Sequence, residues 1–187
     1  MKKLIHFLAF LLLSYVSLAQ SIEEDIRADV ESYFSLLREE KISEALDYVY
    51  PDLINMMGKE MFEQQYNKLL NDANMKASFG DIVINNLSEI KAHEKGDFAL
   101  LEYTFDMDYV LNHDSDQVKD IMANALQSQF KEGFKRDGDQ VKVTAKREMF
   151  VIRRSDFEGW KILDYEPGMK MILTSIIPKE IFDHFNK

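Results

Sequence analysis

Two long stretches of the chain alternate between apolar and polar residues and predict the central strands of a sheet. From Ala99 to Tyr109 every odd position is apolar, whereas the even positions from Glu102 to Asp108 are polar. A second alternation runs from Val141 to Arg153. Because successive side chains of a strand point to opposite faces, each stretch predicts one packed face and one polar face. Together they predict a curved sheet whose concave side is apolar.

Apolar residues three or four positions apart predict helices around these strands. The first stripe runs from Ile22 to Leu37 and forms one face of a helix. The other predicted helices are 42–50, which Pro51 stops, 59–70, 116–131 and 178–185. Further strands are predicted at 79–92, with a bulge near Asn85 and Asn86, and at 160–165. A turn at 93–96 leads into the central strand, and a hydrophobic tail follows the last strand at 169–177.

The order of these elements, three helices and then long antiparallel strands, predicts an α+β fold. With FSLLREEKISEAL at Phe34–Leu46 and GWKI at Gly159–Ile162, residues 21–166 resemble the NTF2-like (SnoaL-like) superfamily. The resemblance implies N-terminal helices packed on a curved antiparallel sheet that encloses a conical cavity. The extra helix between strands and the C-terminal tail depart from the minimal pattern. Members include isomerases, dehydratases, ligand-binding proteins and protein-interaction modules, so the fold alone does not define a function.

The first 19 residues have the three parts of a secretory signal peptide. Lys2 and Lys3 precede the apolar run Leu4–Val16, and Ser17-Leu18-Ala19 places small residues before Gln20. The run is shorter than the ~20 residues that a membrane span needs, so cleavage is favoured over an uncleaved anchor helix. We therefore expect a single domain at 20–187 that is exported, periplasmic or secreted from a bacterium, and not membrane-spanning after cleavage.

Charge and cysteine content exclude several classes of function. Without Lys2 and Lys3, 21 basic residues face 33 acidic ones, a formal charge of −12. A surface this acidic repels phosphate backbones and argues against binding nucleic acid. The chain has no cysteine, which excludes disulfides, a thiol nucleophile and a thiolate metal site. No cofactor motif is present either, so we predict no cofactor and no metal.

Four residues are predicted to line a ligand cavity. Arg147 shares the parity of apolar neighbours on its strand, and a buried guanidinium must be paired or must point into a wet cavity. It is either a cation for an anionic ligand, or a residue that a bulge turns outward or that pairs with a helix carboxylate. Tyr103, Tyr109 and Trp160 are either cavity walls or aromatic core.

The other chemically active side chains are predicted to point elsewhere. Asp106 and Asp108 alternate away from the apolar residues, so they should lie on the opposite face, where lysines at 142 and 146 could pair with acidic neighbours. His113 is expected to be solvated. With no acid/base pair evident in the cavity, no catalytic residue is predicted.

These features favour a non-enzymatic module that binds an unknown small molecule or protein. The alternative is a small-molecule isomerase or dehydratase, for which the inward candidates are Tyr103, Tyr109, Arg147 and, given the right strand parity, Asp164. A carboxylate within hydrogen-bonding distance of a tyrosine inside the cavity would favour this alternative. A further hypothesis is a homodimer, formed through the outer face of the sheet or by the tail Met169–Ile177 covering a neighbouring copy.

Overall fold

The computed structural model describes residues 21–165 and 167–185. The predicted signal peptide lies outside the described residues. The fold class is confirmed as α+β, with helices leading into an open antiparallel sheet. The helices are α1 (21–38), α2 (Ile42–Ala45), α3 (Pro51–Met57), α4 (Lys59–Asn71), α5 (Asp116–Phe130), α6 (Lys170–Ile176) and α7 (Lys179–Phe185). The strands are β1 (Met75–Leu87), β2 (Lys91–His93), β3 (Gly96–Leu111), β4 (Phe134–Asp137), β5 (Gln140–Arg153) and β6 (Lys161–Tyr165).

Strands β3 and β5 form the centre of the sheet, as their length and alternation predict. Within the described residues the sheet has six strands in the order β1-β3-β5-β4, with β2 also paired to β3 and β6 to β5. Every pairing is antiparallel. The β1–β3 register shifts between Ile84 and Asn86, which confirms the predicted bulge, and it shifts again between Phe79 and Ile82.

The inner face of the sheet packs against α1 to α4. It is formed by the apolar positions that the alternation in both central strands predicts. Leu101, Tyr103 and Met107 of β3 are buried there, and the Phe34 and Tyr103 ring centroids are 5.4 Å apart. An additional contact joins α1 to β6, since the Asp29 carboxylate accepts a 2.7 Å hydrogen bond from the backbone N–H of Trp160. The strands are thereby held against the first helix at a fixed position.

Helix α5 covers the far end of the inner face. Its buried residues, Ala123 and Leu126, join Met107, Tyr109 and Val143 in a second apolar cluster. Phe79 and Phe105 pack against both this cluster and the main core. Helix α5 therefore covers the part of the inner face that lies beyond the main core.

The C-terminal tail packs on the outer face of its own sheet and forms two helices. Leu173 and Ile177 are buried, and the Phe150 ring on the outer face of β5 lies 6.5 Å from Phe182 and 5.9 Å from Phe185 between centroids. The predicted tail is thus helical over most of its length. The tail therefore contacts its own domain within the described chain, and the homodimer stays a prediction.

Several elements differ from the sequence prediction, and the predicted strand 79–92 is divided into β1 and β2. Pro51 was expected to end a helix, but it occupies the first turn of α3, where its fixed φ and missing N–H are tolerated. The preceding helix is correspondingly short, with α2 followed by a 3-10 turn at Leu46–Tyr48. Strand β4 was not predicted from the sequence, and it pairs with the first four residues of β5. Among the described residues there is no helix with the length and apolarity to cross a bilayer.

Candidate functional site: a tyrosine-lined cavity on the inner face

A cavity of about 180 Å³ lies between helices α1 and α4 and the inner face of the sheet. Its apolar walls are Phe34, Leu37, Leu69, Phe79, Phe105 and Met107. The walls come from both sides because the apolar stripes of the two helices face the inward-pointing apolar side chains of β1 and β3. Such a hollow surrounded by aromatic rings is typical of a binding site for a small molecule.

Polar side chains converge inside this cavity. The Tyr103 hydroxyl donates to Asp164 Oδ1 at 3.1 Å, and the Tyr33 and Tyr66 hydroxyl oxygens are 2.9 Å apart. Burial raises the pKa of the Tyr33 and Tyr103 hydroxyls well above the usual value for tyrosine, and the nearby Asp164 carboxylate raises both pKa values further. These two tyrosines therefore stay protonated at neutral pH and act as neutral hydrogen-bond donors.

Arg147 stands at the mouth of the cavity. It is half-buried and lines both the inner cavity and an outer groove of about 350 Å³, which also includes Asn85, Glu102 and Lys146. Its guanidinium donates to the carbonyl oxygen of Lys146 at 3.2 Å. Within the described ranges no carboxylate lies within 4 Å of it, so the salt bridge to a helix carboxylate, one of the alternatives left open by the sequence, is not formed there. Arg147 lies on the same face of the sheet as Tyr103, its partner in the β3–β5 register, and its role as a cation for a ligand stays a prediction.

The other two predicted wall residues lie elsewhere. Tyr109 belongs to the second cluster under α5, and its hydroxyl contacts the sulfur of Met107 at 3.5 Å. Trp160 is 1% exposed in the main core, with the Arg153 guanidinium 4.8 Å from its ring centroid. Both residues belong to the aromatic core, which was the alternative left open by the sequence. The cavity ends before it reaches either ring.

The acidic residues of β3 lie on the outer face, as predicted. Asp106 forms an ion pair with Lys142 at 2.8 Å and accepts a hydrogen bond from Thr144 at 2.6 Å. These two contacts lower the pKa of the Asp106 carboxyl. Asp108 is exposed, and His113 accepts a hydrogen bond from the backbone of Ser115 at 3.0 Å. The part of the chain that the structure describes has no cluster of three His, Asp or Glu side chains able to hold a metal ion.

The sequence analysis missed Tyr33 and Tyr66, and it named Asp164 only on the condition that the last strand has the right parity. Its premise that the cavity lacks an acid/base pair was wrong, because Tyr103 and Asp164 form such a pair inside it. Asp164 reaches the site through the pairing of Met149 with Asp164 between β5 and β6. The only sequence signal was the parity of the last strand, which puts Asp164 and Ile162 on the same side.

A larger cleft of about 940 Å³ lies near the ends of β3 and β5. Its arginines are neutralised within the chain, because Arg153 pairs with Asp97 at 2.9 Å and Arg154 pairs with Asp52 at 2.9 Å and Asp156 at 2.6 Å. These paired groups stabilise the connection between strands and α3. The smaller tyrosine-lined cavity is therefore the better candidate for a binding site.

Comparison with known proteins adds no family to this geometry. No family model matches the chain. No curated protein shows significant similarity to it either. The functional argument therefore rests on the residues of the cavity themselves.

Proposed function

We propose that this chain is an exported domain of NTF2-like type that binds a small ligand in the tyrosine-lined cavity. The signal-like residues 1–19 support export, and the helix motif at Phe34–Leu46 with the antiparallel sheet order supports the fold family. The observation that carries the binding function is the convergence of Tyr103, Asp164 and Arg147 on one aromatic-walled hollow.

The physical cost of the cavity supports a binding role. An unfilled volume in a core lowers stability in proportion to its size, and buried polar groups add a desolvation cost. Larger apolar side chains at Leu37 or Leu69 would fill the space with no polar partners to satisfy. A hollow that keeps its volume together with three tyrosine hydroxyls and a carboxylate is better explained by a ligand that occupies it.

Removing one hydroxyl from the cavity is expected to weaken ligand binding. A fragment library screened against the full chain by saturation-transfer NMR should yield ligands whose affinity falls about two- to tenfold in Tyr103→Phe, the range that one net hydrogen bond contributes. Tyr109→Phe is the matched control, because it makes the same change on the same face of β3 outside the cavity. Equal weakening by both variants, or no fragment that responds to Tyr103→Phe, would contradict the proposal.

A second candidate function, a small-molecule isomerase or dehydratase, is favoured by the 3.1 Å contact between Tyr103 and Asp164. A carboxylate held beside a hydroxyl can accept a proton while the hydroxyl donates to the substrate. This candidate ranks second because the raised pKa values of Tyr33 and Tyr103 suit them to donating hydrogen bonds, not to exchanging protons near neutral pH. Fragment ligands that the wild type converts, and that Asp164→Asn binds without converting, would reverse this ranking.

Export is expected to remove the first 19 residues. When the full chain is expressed in a bacterium, the mature protein should begin at Gln20 and appear in the periplasm or medium, because Ala19 supplies the small residue before the cleavage point. Ala19→Arg should retain the leader and serves as the control. N-terminal sequencing and fractionation check both results; a cytosolic protein that keeps its leader would disprove export.

A further inference from the structure

The size of the cavity limits its ligand to a single ring. An apolar protein cavity of about 150 Å³ holds benzene, whereas drug-sized ligands occupy about 300–1,000 Å³. At about 180 Å³ the tyrosine-lined cavity is close in size to the cavity that holds benzene. It is closed toward α5, because Met107 and Phe105 line it and also pack with the second cluster. The Phe34 and Tyr103 rings, 5.4 Å apart, suit the faces and edges of another flat ring.

The part of the cavity away from its mouth is suited to a hydroxyl group. Tyr33 and Asp164 line the cavity but not the outer groove, which marks the inner end. A tyrosine hydroxyl both donates and accepts, so Tyr33 has hydrogen-bonding capacity beyond its contact with Tyr66. The Asp164 carboxylate disfavours a second anion at this end. A neutral group that donates and accepts hydrogen bonds fits there best.

The mouth of the cavity is suited to a carboxylate. The Arg147 guanidinium has five N–H donors, and among the described residues it makes one hydrogen bond, to the Lys146 carbonyl. Its planar fork matches a carboxylate in a bidentate pair. Glu148 lines both the cavity and the outer groove, and the groove also carries Lys146 and Glu102, so two acidic and two basic side chains surround the mouth. Recognition of an anion here depends on direct contact with the guanidinium and not on a general positive field.

We infer that the cavity selects a monocyclic hydroxy acid, with its ring packed against Phe34, Tyr103 and Phe105, its hydroxyl beside Tyr33 and Asp164, and its carboxylate on Arg147. This inference rests on the proposed binding function and adds the chemical class of the ligand. Phenols that carry a carboxylate on the opposite side of the ring match both ends.

The test measures the affinity of the full chain for four probes by calorimetry. We expect 4-hydroxybenzoate to bind at least fivefold tighter than benzoate or phenol, and 6-hydroxy-2-naphthoate to bind at least tenfold more weakly than 4-hydroxybenzoate. Arg147→Gln should weaken 4-hydroxybenzoate about tenfold and leave phenol unchanged, because phenol has no charge to pair. Arg136→Gln is the control, since Arg136 pairs with Asp120 on the surface.

A variant that enlarges the cavity tests the size limit independently. Met107→Ala should bind 6-hydroxy-2-naphthoate more tightly than the wild type does. If Met107→Ala does not fold, Leu69→Ala is used in its place, because it enlarges the same cavity from the helix side. Tight binding of the naphthoate to the wild type would overturn the size limit. Benzyltrimethylammonium, a fifth probe of opposite charge, should bind more weakly than 4-hydroxybenzoate, and tighter binding would overturn the charge assignment.

The two proposals fail in different ways. If the four probes do not bind but other fragments bind in a Tyr103-dependent manner, the ligand class is wrong and the binding function stands. If no fragment responds to Tyr103→Phe, both proposals are wrong.

Discussion

Replacing Phe150 with alanine is expected to lower the free energy of unfolding by about 3–5 kcal/mol, the usual cost of deleting a buried aromatic ring. Phe150 is fully buried, and its ring contacts Tyr165, Phe182 and Phe185, with centroids 5.8, 6.5 and 5.9 Å away. Its loss removes the ring contacts that join α7 to the outer face of β5. Since a domain of this kind is stable by only about 5–15 kcal/mol, a large fraction of its stability would be lost.

Urea unfolding followed by the fluorescence of Trp160 measures this change, because Trp160 is the single tryptophan of the chain and is buried. Met171→Ala is the control on the neighbouring helix α6, where the side chain is 86% exposed, and it should change stability by less than about 0.5 kcal/mol. Limited proteolysis should cut Phe150→Ala near α6 and α7 well before the wild type. A loss below about 1 kcal/mol would show that the C-terminal helices are held by other contacts.

The role of Phe150 also shows where sequence patterning was read too simply. Residues 98–101 (FALL) and 149–152 (MFVI) are continuous apolar runs inside strands that otherwise alternate. Such runs are typical of strands buried on both faces. The alternation correctly assigned the inner face, but the runs also indicate that something covers the outer face at that end. In the structure α6 and α7 cover it, which explains why Phe98 and Phe150 are fully buried.

For the candidate site, the sequence predicted only which face of the sheet each side chain occupies. Alternation within one strand placed Tyr103 and Arg147 on the inner face, and the structure brings both to the cavity. Parity does not say where along that face the cavity ends, which is why Tyr109 shares the face of Tyr103 but packs under α5. Contacts between distant elements are harder still, because the Tyr103–Asp164 pair spans 61 positions and depends on the register between β5 and β6.

Gly96→Ala is expected to lower the free energy of unfolding by about 3 kcal/mol or more, because strain and a clash act together. Gly96 begins β3 with a φ of +132°, a conformation that costs other residues about 1–3 kcal/mol. A Cβ there would lie 2.4 Å from the carbonyl oxygen of Arg153, which is backbone and has little freedom to move. Overpacking of this kind costs a further ~1–3 kcal/mol.

The displacement should spread to the neighbouring contacts of Arg153, whose guanidinium pairs with Asp97 and lies over the Trp160 ring. Trp160 fluorescence in Gly96→Ala should therefore change before unfolding begins. Gly138→Ala separates the two causes, because Gly138 has a φ of +59° but a Cβ added there would meet no atom within 4 Å, so strain alone costs about 1–2 kcal/mol. Equal losses in the two variants would show that backbone strain dominates and that the strand end near Arg153 yields to the added methyl group.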